Sequence, residues 1–325
     1  MKKIFLMLFL SGLLSIPAFA QNTDWVAQNG RLKVKDGKIV NSKNVPPQLR
    51  GISLSWSIWQ GRKYYNPQVV SWLQSDFNIN LLRVSMAVQP DSGYLQQPAE
   101  QEKLVVKTVD AAIANGLYVL IDWHDHHADQ HLAPSKAFFT KMAKRYAGKP
   151  NVIYEVFNEP EKIAWQTVKD YATQVIAAIR KYDATNLIIV GSPTWDQDID
   201  VAAKDPIKGY ENIAYSFHFY ASDPNHQEVL MKKADEAIAA GLPIMVTEWG
   251  VGEANGNGEF NLEKTNNWLA WMERNQLSWA NWNITDKNET TAILQPGASI
   301  KGKWKPEALT PAGQYIRTQL RKLNH

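Results

Sequence analysis

Two glutamates stand where short apolar runs give out: Glu159 in "VIYEVFNEP" (152–160) and Glu248 in "PIMVTEWG" (243–250). A charge at the end of a buried strand must be solvated, paired or used. Other run ends supply His124, Asn158, Trp195, His218, Tyr220 and Trp282, while Arg83 sits inside its own run. Two carboxyl groups opposed across a cleft rich in Trp and Tyr suit glycoside hydrolysis. One must stay protonated to donate to the leaving oxygen; the other must be ionised, to attack or to activate water. Their surroundings therefore have to separate their pKa values. The plainer alternative is that both carboxylates pair with Arg83 or cap helices, the usual fate of a single strand-end Glu. Two of them at separate run ends, among His, Tyr, Asn and Trp, favour the chemistry. Glu155 lies four residues before Glu159 in the same strand phase and is expected to be a buried counter-ion for Arg83.

Residues so far apart in sequence need a scaffold that gathers strand ends. Eight short apolar, β-branched or aromatic runs recur: 49–55, 80–86, 117–124, 151–160, 186–195, 213–220, 243–250 and 277–285. They are separated by a length suited to strand–helix units. Amphipathic stretches fill the gaps, such as "QEKLVVKTVDAAIANG", "AWQTVKDYATQVIAAIRKY" and a segment starting at Pro134. The gap after the fifth run, around 195–206, has the faintest helical pattern. Alternating elements with continuously apolar strands imply a parallel sheet covered on both faces, and eight units fit a closed (β/α)8 barrel. An open doubly wound sheet is disfavoured because no glycine-rich phosphate loop follows the first strand. Ahead of the barrel, "RLKVKDGKIV" (31–40) reads as a β-hairpin turning at Asp36-Gly37, a lid for the barrel floor.

Composition narrows the partners. Lys2 and Lys3, an apolar stretch from Ile4 to Ile16 and the small-residue end Ala18-Phe19-Ala20 read as a cleavable signal peptide over 1–20. The apolar run is too short for a retained anchor. The expectation is a secreted or periplasmic protein, cut near Ala20/Gln21, whose residues 21–325 form one catalytic domain. Formal net charge is +3, of which Lys2 and Lys3 carry two. No basic block remains, so neither nucleic acid nor an anionic membrane is an expected partner. Cysteine is absent, which excludes disulfides and thiolate metal sites. The unusual figure is 13 Trp beside 12 Tyr; at polar loop positions such rings stack on flat ligand faces.

Taken together, "RGISL", "LLRVSM", "DWH", "VIYEVFNEP", "HFY", "VTEWG" and "NWNITDKNE" resemble glycoside hydrolase family 5, the cellulase family, and within it the bacterial endo-β-1,4-glucanases. The resemblance runs from about residue 30 to 320. It implies Glu159 as acid/base and Glu248 as nucleophile of a retaining enzyme, which needs no cofactor. It further implies that Asn158 bonds the sugar 2-hydroxyl and that Arg83 and Tyr220 hold Glu248. His124 and His218 would line the reacting subsite, Trp282 would stack beneath its sugar, and Trp59, Trp195 and Lys287 would contact outer sugars. Ser55 stands where many relatives have histidine, and Ala87 where tyrosine is common; both are expected to flank the glycone side. The implied substrate is a β-1,4-linked polysaccharide or oligosaccharide, handled by a monomer.

"DWHDHHADQH" (122–131) has enough His and Asp to suggest a metal. The expectation is instead a polar loop with only His124 facing the sugar, and no metal site. Glu253 and Glu259 in "GEANGNGEF" are expected to be solvated. Three alternatives stay open at this level: a β-mannanase, a mixed-linkage or xyloglucan glucanase, and a carbohydrate-binding protein without catalysis.

Overall fold

The computed structural model describes residues 23–324, so the predicted leader and its cleavage point lie outside the described residues. Among the described residues ten strands occur in chain order. β1 (Lys33–Lys35) and β2 (Lys38–Val40) pair antiparallel as the expected hairpin. The other eight are β3 (Arg50–Leu54), β4 (Leu81–Ala87), β5 (Tyr118–His124), β6 (Val152–Glu155), β7 (Ile188–Val190), β8 (Ile213–Tyr220), β9 (Ile244–Gly250) and β10 (Trp279–Ile284). Each pairs parallel with its sequence neighbour, and β10 returns to β3 with Trp279 opposite Arg50, closing the (β/α)8 barrel. Among the described residues no helix is long and apolar enough to cross a membrane.

Strand alternation divides the side chains between two cores. Leu82, Val84, Val119, Ile121, Val152 and Tyr154 point outward against the helices. Leu81, Leu120, Ile153, Ile189, Ala214, Met245 and Ala280 point inward and form the barrel floor with Leu32 and Ile39 from the hairpin region. The hairpin is thus the lid inferred from sequence. One pleat higher, the same inward phase carries Arg83, Asp122 and Glu155 in place of Leu81, Leu120 and Ile153. The interior changes from hydrocarbon to charge within one layer.

Some element limits differ from the sequence reading. β6 stops at Glu155 and β7 at Val190, short of Glu159 and Trp195. Past β6 the chain stays extended, with Val156 N–H donating to Ile189 O and Asn158 N–H to Trp123 O. It leaves the ladder at Glu159, whose φ is 49°. After β7, Pro193 removes a ladder donor. The helix expected from Pro134 begins at Leu132; proline is tolerated there because a first-turn N–H has no intrahelical acceptor. The weakly patterned gap after β7 holds one short helix, Ile199–Lys204, preceded by a left-handed turn at residues 194–196.

Gly51 shows how closely β3 and β4 are fitted: a Cβ there would overlap the carbonyl oxygen and carbon of Leu81. Backbone on a closed barrel cannot retreat without shifting its other neighbour. Gly51→Ala is expected to cost at least about 3 kcal/mol, the upper end of ordinary overpacking, read as a loss of folded protein or a clear fall in chemical-denaturation midpoint. An unchanged midpoint would mean that the barrel yields there.

Candidate active site

Arg83 is fully buried on β4, with carboxylates on several sides. Its Nε donates to Glu155 Oε2 at 2.8 Å, Nη1 to Glu248 Oε2 at 2.7 Å and Nη2 to Asn158 Oδ1 at 2.6 Å. Asp122 Oδ2 lies 3.0 Å from Nη2. Glu155 is therefore the counter-ion expected from its strand phase. One guanidinium faces three carboxyl groups. Burial, and next to it the opposing pull of Arg83, set Asp122 at about 7, and burial raises Glu155 as well.

Glu248 receives hydrogen bonds on both oxygens, from Arg83 on Oε2 and from the Tyr220 hydroxyl on Oε1 at 2.6 Å. Acceptance at both oxygens is the pattern of an ionised carboxylate. Glu159 is held differently. It is half-buried, reached by His218 Nδ1 at 3.0 Å from Oε1, with His126 Nδ1 at 3.6 Å from Oε2. His218 Nε2 lies 2.8 Å from Thr247 Oγ1, which in turn pairs with Ser216. Burial first, with Arg83 also lowering it, brings His218 down to about 4. A neutral ring that donates from Nδ1 to Glu159 accepts the Thr247 hydroxyl at Nε2.

His124 Nδ1 lies 2.7 Å from Asp122 Oδ2, which leaves Nε2 for the cleft. Burial holds its pKa well below the ordinary value. The ring stacks on Trp282, centroids 5.4 Å apart and planes 7° apart, and meets the edge of Trp56 at 4.2 Å. Asn158 Oδ1 is taken by Arg83, while its buried Nδ2 has no acceptor among the described residues. That donor is free for a ligand.

Two adjoining cavities flank the carboxyl pair. One of about 410 Å³ is lined by Trp56, Trp59, His124, Glu248, Trp282, Lys287 and Glu289. The other, about 690 Å³, is lined by Lys162, Trp195, His218 and His226. Glu159, Tyr220, His126, Ala254 and Asn255 line both, so the groove is continuous past the carboxyl groups. Trp59 is 64% exposed. Lys287 Nζ pairs with Glu289 Oε2 at 2.6 Å, and Lys162 Nζ lies 5.5 Å from the Trp195 ring centre. Ser55 lines the first cavity, whereas Ala87 is sealed behind it with its N–H donated to Ser57 Oγ. The sequence-based placement of Ala87 at the cleft is corrected by this.

His126 corrects a second expectation: it reaches the cleft alongside His124. Its signal lay in the loop motif but was hidden among equivalent histidines. The remaining loop histidines are dispersed, His131 on Asp125 at 2.7 Å and His127 toward Glu161 at 3.8 Å. Among the described residues, the ligand atoms compact enough to hold an ion belong to Glu159, His218 and Glu248, all within 4.8 Å of one another. Sequence reasoning also passed over Asp122, which strand phase with His124 could have exposed, and Asp196, which no periodicity announces.

His218 generates a pH prediction. Its folded pKa of about 4 lies below the ordinary 6.5, so the unfolded chain binds the extra proton first. Its contribution to stability is complete above about pH 6.5 and is lost as pH falls toward 4, at about 1.4 kcal/mol per unit. Asp122, raised to about 7, contributes with the opposite sign throughout that range and is common to parent and variant. His218→Asn should therefore show a shallower fall in Tm than the parent between pH 6.5 and 4.5. Parallel curves would show that His218 protonates without penalty.

The cellulase (glycosyl hydrolase family 5) model matches residues 40–288. Endoglucanase Z of Dickeya dadantii is 43% identical over 98% of this chain and 72% of its own length. Endoglucanase N of Pectobacterium atrosepticum is 39% identical over 91% of this chain and 66% of its own. The chain thus spans roughly two thirds of such curated relatives. A solved structure from Cytophaga hutchinsonii superposes with a TM-score of 0.90 at 42% identity, covering 92% of this chain and 97% of that one. A variant of the Thermobifida fusca endoglucanase Cel5A catalytic domain, in complex with cellotetraose, gives 0.85 at 30% identity, covering 91% and 99%. The barrel, its paired glutamates and these matches place the chain in glycosyl hydrolase family 5, the cellulase family.

Proposed function

We propose that this protein is a retaining endo-β-1,4-glucanase that cuts internal bonds of soluble cellulose-type glucans by double displacement. The observation that carries the mechanism is the approach of Glu159 and Glu248 carboxylate oxygens within 4.8 Å. Retaining glycosidases hold their carboxyl groups about 5–5.5 Å apart, and inverting ones about 6.5–9.5 Å, to admit a water. At the shorter spacing Glu248 itself attacks the anomeric carbon. Glu159 first gives a proton to the leaving oxygen and then removes one from the incoming water.

The surroundings suit this division. Arg83 and Tyr220 aim Glu248 and fix its charge, while half-exposed Glu159 rests on neutral His218 and can exchange its proton with solvent. The free Nδ2 of Asn158 is placed to donate to the 2-hydroxyl of the sugar at the reaction centre, a bond that strengthens in the transition state. Trp282, steadied by His124, supplies the face beneath that sugar. The leaving sugar rests on Trp195, and Trp59 and Lys287 receive sugars farther along the glycone side. A groove open past both carboxyl groups favours cutting within a chain over trimming its end. The enzyme names of the relatives and the cellotetraose bound to the Cel5A variant support a β-1,4-glucan. We infer that residues 21–325 act as one exported, monomeric domain without metal or cofactor.

Activity on carboxymethylcellulose well above that on glucomannan and barley glucan, measured by reducing sugar, is the expected substrate ranking. Glu248→Ala should lose all turnover. Glu159→Ala should retain attack on an aryl cellobioside whose leaving group needs no proton, and added azide should speed release of its glycosyl group. NMR should show the β anomer first; an α anomer would turn Glu248 into a base and remove the retaining assignment.

The cluster of Glu159, His218 and Glu248 invites a separate control. If it works as carboxyl groups and a hydrogen-bonded ring, EDTA should leave the rate within error. Loss restored by one added metal ion would assign the cluster to that ion.

A further inference from the structure

The turn after β7 is built against local backbone preference. Thr194, Trp195 and Asp196 have φ of 58°, 56° and 61°. None is glycine, and three left-handed residues in succession persist only where the surroundings determine them. Here the surroundings are the segment that carries Glu159. Trp195 N–H donates to Pro160 O at 2.8 Å and Thr194 N–H to Glu161 O at 3.0 Å. The fully buried Asp196 carboxylate answers in the other direction, accepting Glu159 N–H on Oδ2 at 3.0 Å and Ser192 N–H on Oδ1 at 2.5 Å. Glu159 is itself left-handed, with φ of 49°. Gly191 permits the close approach: a Cβ there would lie 2.4 Å from Phe157 O, 2.8 Å from Pro160 Cδ and 2.9 Å from Asp196 Oδ1.

Two strained segments are therefore locked to each other, and each carries one half of the leaving-group site. One presents the carboxyl group that meets the leaving oxygen; the other presents the aromatic face for the sugar attached to that oxygen. We propose that Asp196 is a positioning residue that couples Trp195 to Glu159, so that the acid is aimed by the same unit that seats the leaving sugar. This rests on the reading of Glu159 as the acid. Asp196 reaches no reacting atom and acts through Glu159, whose N–H it accepts; its Oδ2 also lies 3.6 Å from Nε2 of His218, the ring that meets the Glu159 carboxyl group. Its two oxygens each serve a backbone N–H. An amide in its place accepts from one of them and turns its own N–H on the other, releasing one side of the lock.

The test separates this role from a merely structural one by leaving-group dependence. The kcat/KM of a dinitrophenyl cellobioside reports attack on a leaving group that needs no proton, whereas that of cellotetraose requires the acid. Asp196→Asn in the full chain should lower kcat/KM for cellotetraose at least tenfold, in keeping with the roughly hundredfold cost of a 1 Å misplacement. It should change the value for the dinitrophenyl substrate less than about threefold and move the basic limb of the cellotetraose pH profile. Asp196→Ser introduces no overlap and leaves one short acceptor for the two N–H groups, and should show the same split; it decides the matter if Asp196→Asn does not fold. Equal losses on both substrates, or no loss on either, would overturn the coupling. Glu159→Ala, measured in parallel, must show the split most strongly; equal losses there would instead overturn the acid assignment beneath the proposal.

Discussion

A guanidinium sealed inside a protein must find its charge and its hydrogen bonds there, because unpaired burial costs several kcal/mol. Arg83 imposes that condition on the top of this barrel. Its five N–H donors face Glu155, Glu248, Asn158 and Asp122, drawn from the adjacent β5, from β6 and the segment after it, and from β9 across the interior. Every one of those side chains gains a fixed position from one centre. Tyr220 and His124 then attach to the carboxylates so fixed. The arrangement carries more negative groups than one cation can balance, and burial relieves the excess by pushing Asp122 toward protonation. The oxygens of Glu248 meanwhile remain occupied as acceptors by Arg83 and Tyr220.

The floor makes this layer possible. Leu81, Leu120, Ile153, Ile189 and Met245 close the interior from below with Leu32 and Ile39. Water is kept from the underside of the charged layer, where it would weaken each contact with Arg83. The same exclusion keeps His218 neutral, so that its Nδ1–H is committed to Glu159 and its Nε2 to Thr247. Stability and chemistry therefore occupy successive layers of the same strands, set by which residue type follows at the next inward position.

That layering explains what could be read from sequence. Eight apolar runs and their spacing state the barrel because a buried parallel strand needs unbroken hydrocarbon. Glu159 and Glu248 stand out because charge breaks that rule at two run ends. Arg83 and Glu155 follow from phase within a strand. The less legible parts come from backbone that has no period. β6 releases the chain at Glu155, yet Glu159 is carried onward by single backbone bonds and a positive φ. His126 enters the cleft by the path of an irregular loop, in which neighbouring histidines look alike. Ala87 shows the reverse: a position inferred by resemblance to flank the cleft is fully buried and absent from the cavity lining.

Asp196 marks the limit most clearly. In "SPTWDQD" nothing distinguishes it from a solvated loop carboxylate, and proline beside a helical pattern suggests an ordinary helix start. Its burial arises because Thr194 and Trp195 turn left-handed and bring it back onto Ser192 and Glu159. Strain of this kind is tolerated where several tertiary bonds oppose relaxation, and here they join two loops whose Glu159 and Trp195 side chains line the same cavity. Arg83 fixes Glu248 from beneath through charge; the Asp196 turn fixes Glu159 from the side through backbone donors. The two carboxyl groups are held by unlike means: both oxygens of Glu248 are taken by Arg83 and Tyr220, whereas Glu159 is fixed through its backbone N–H and reached at its carboxyl group by His218.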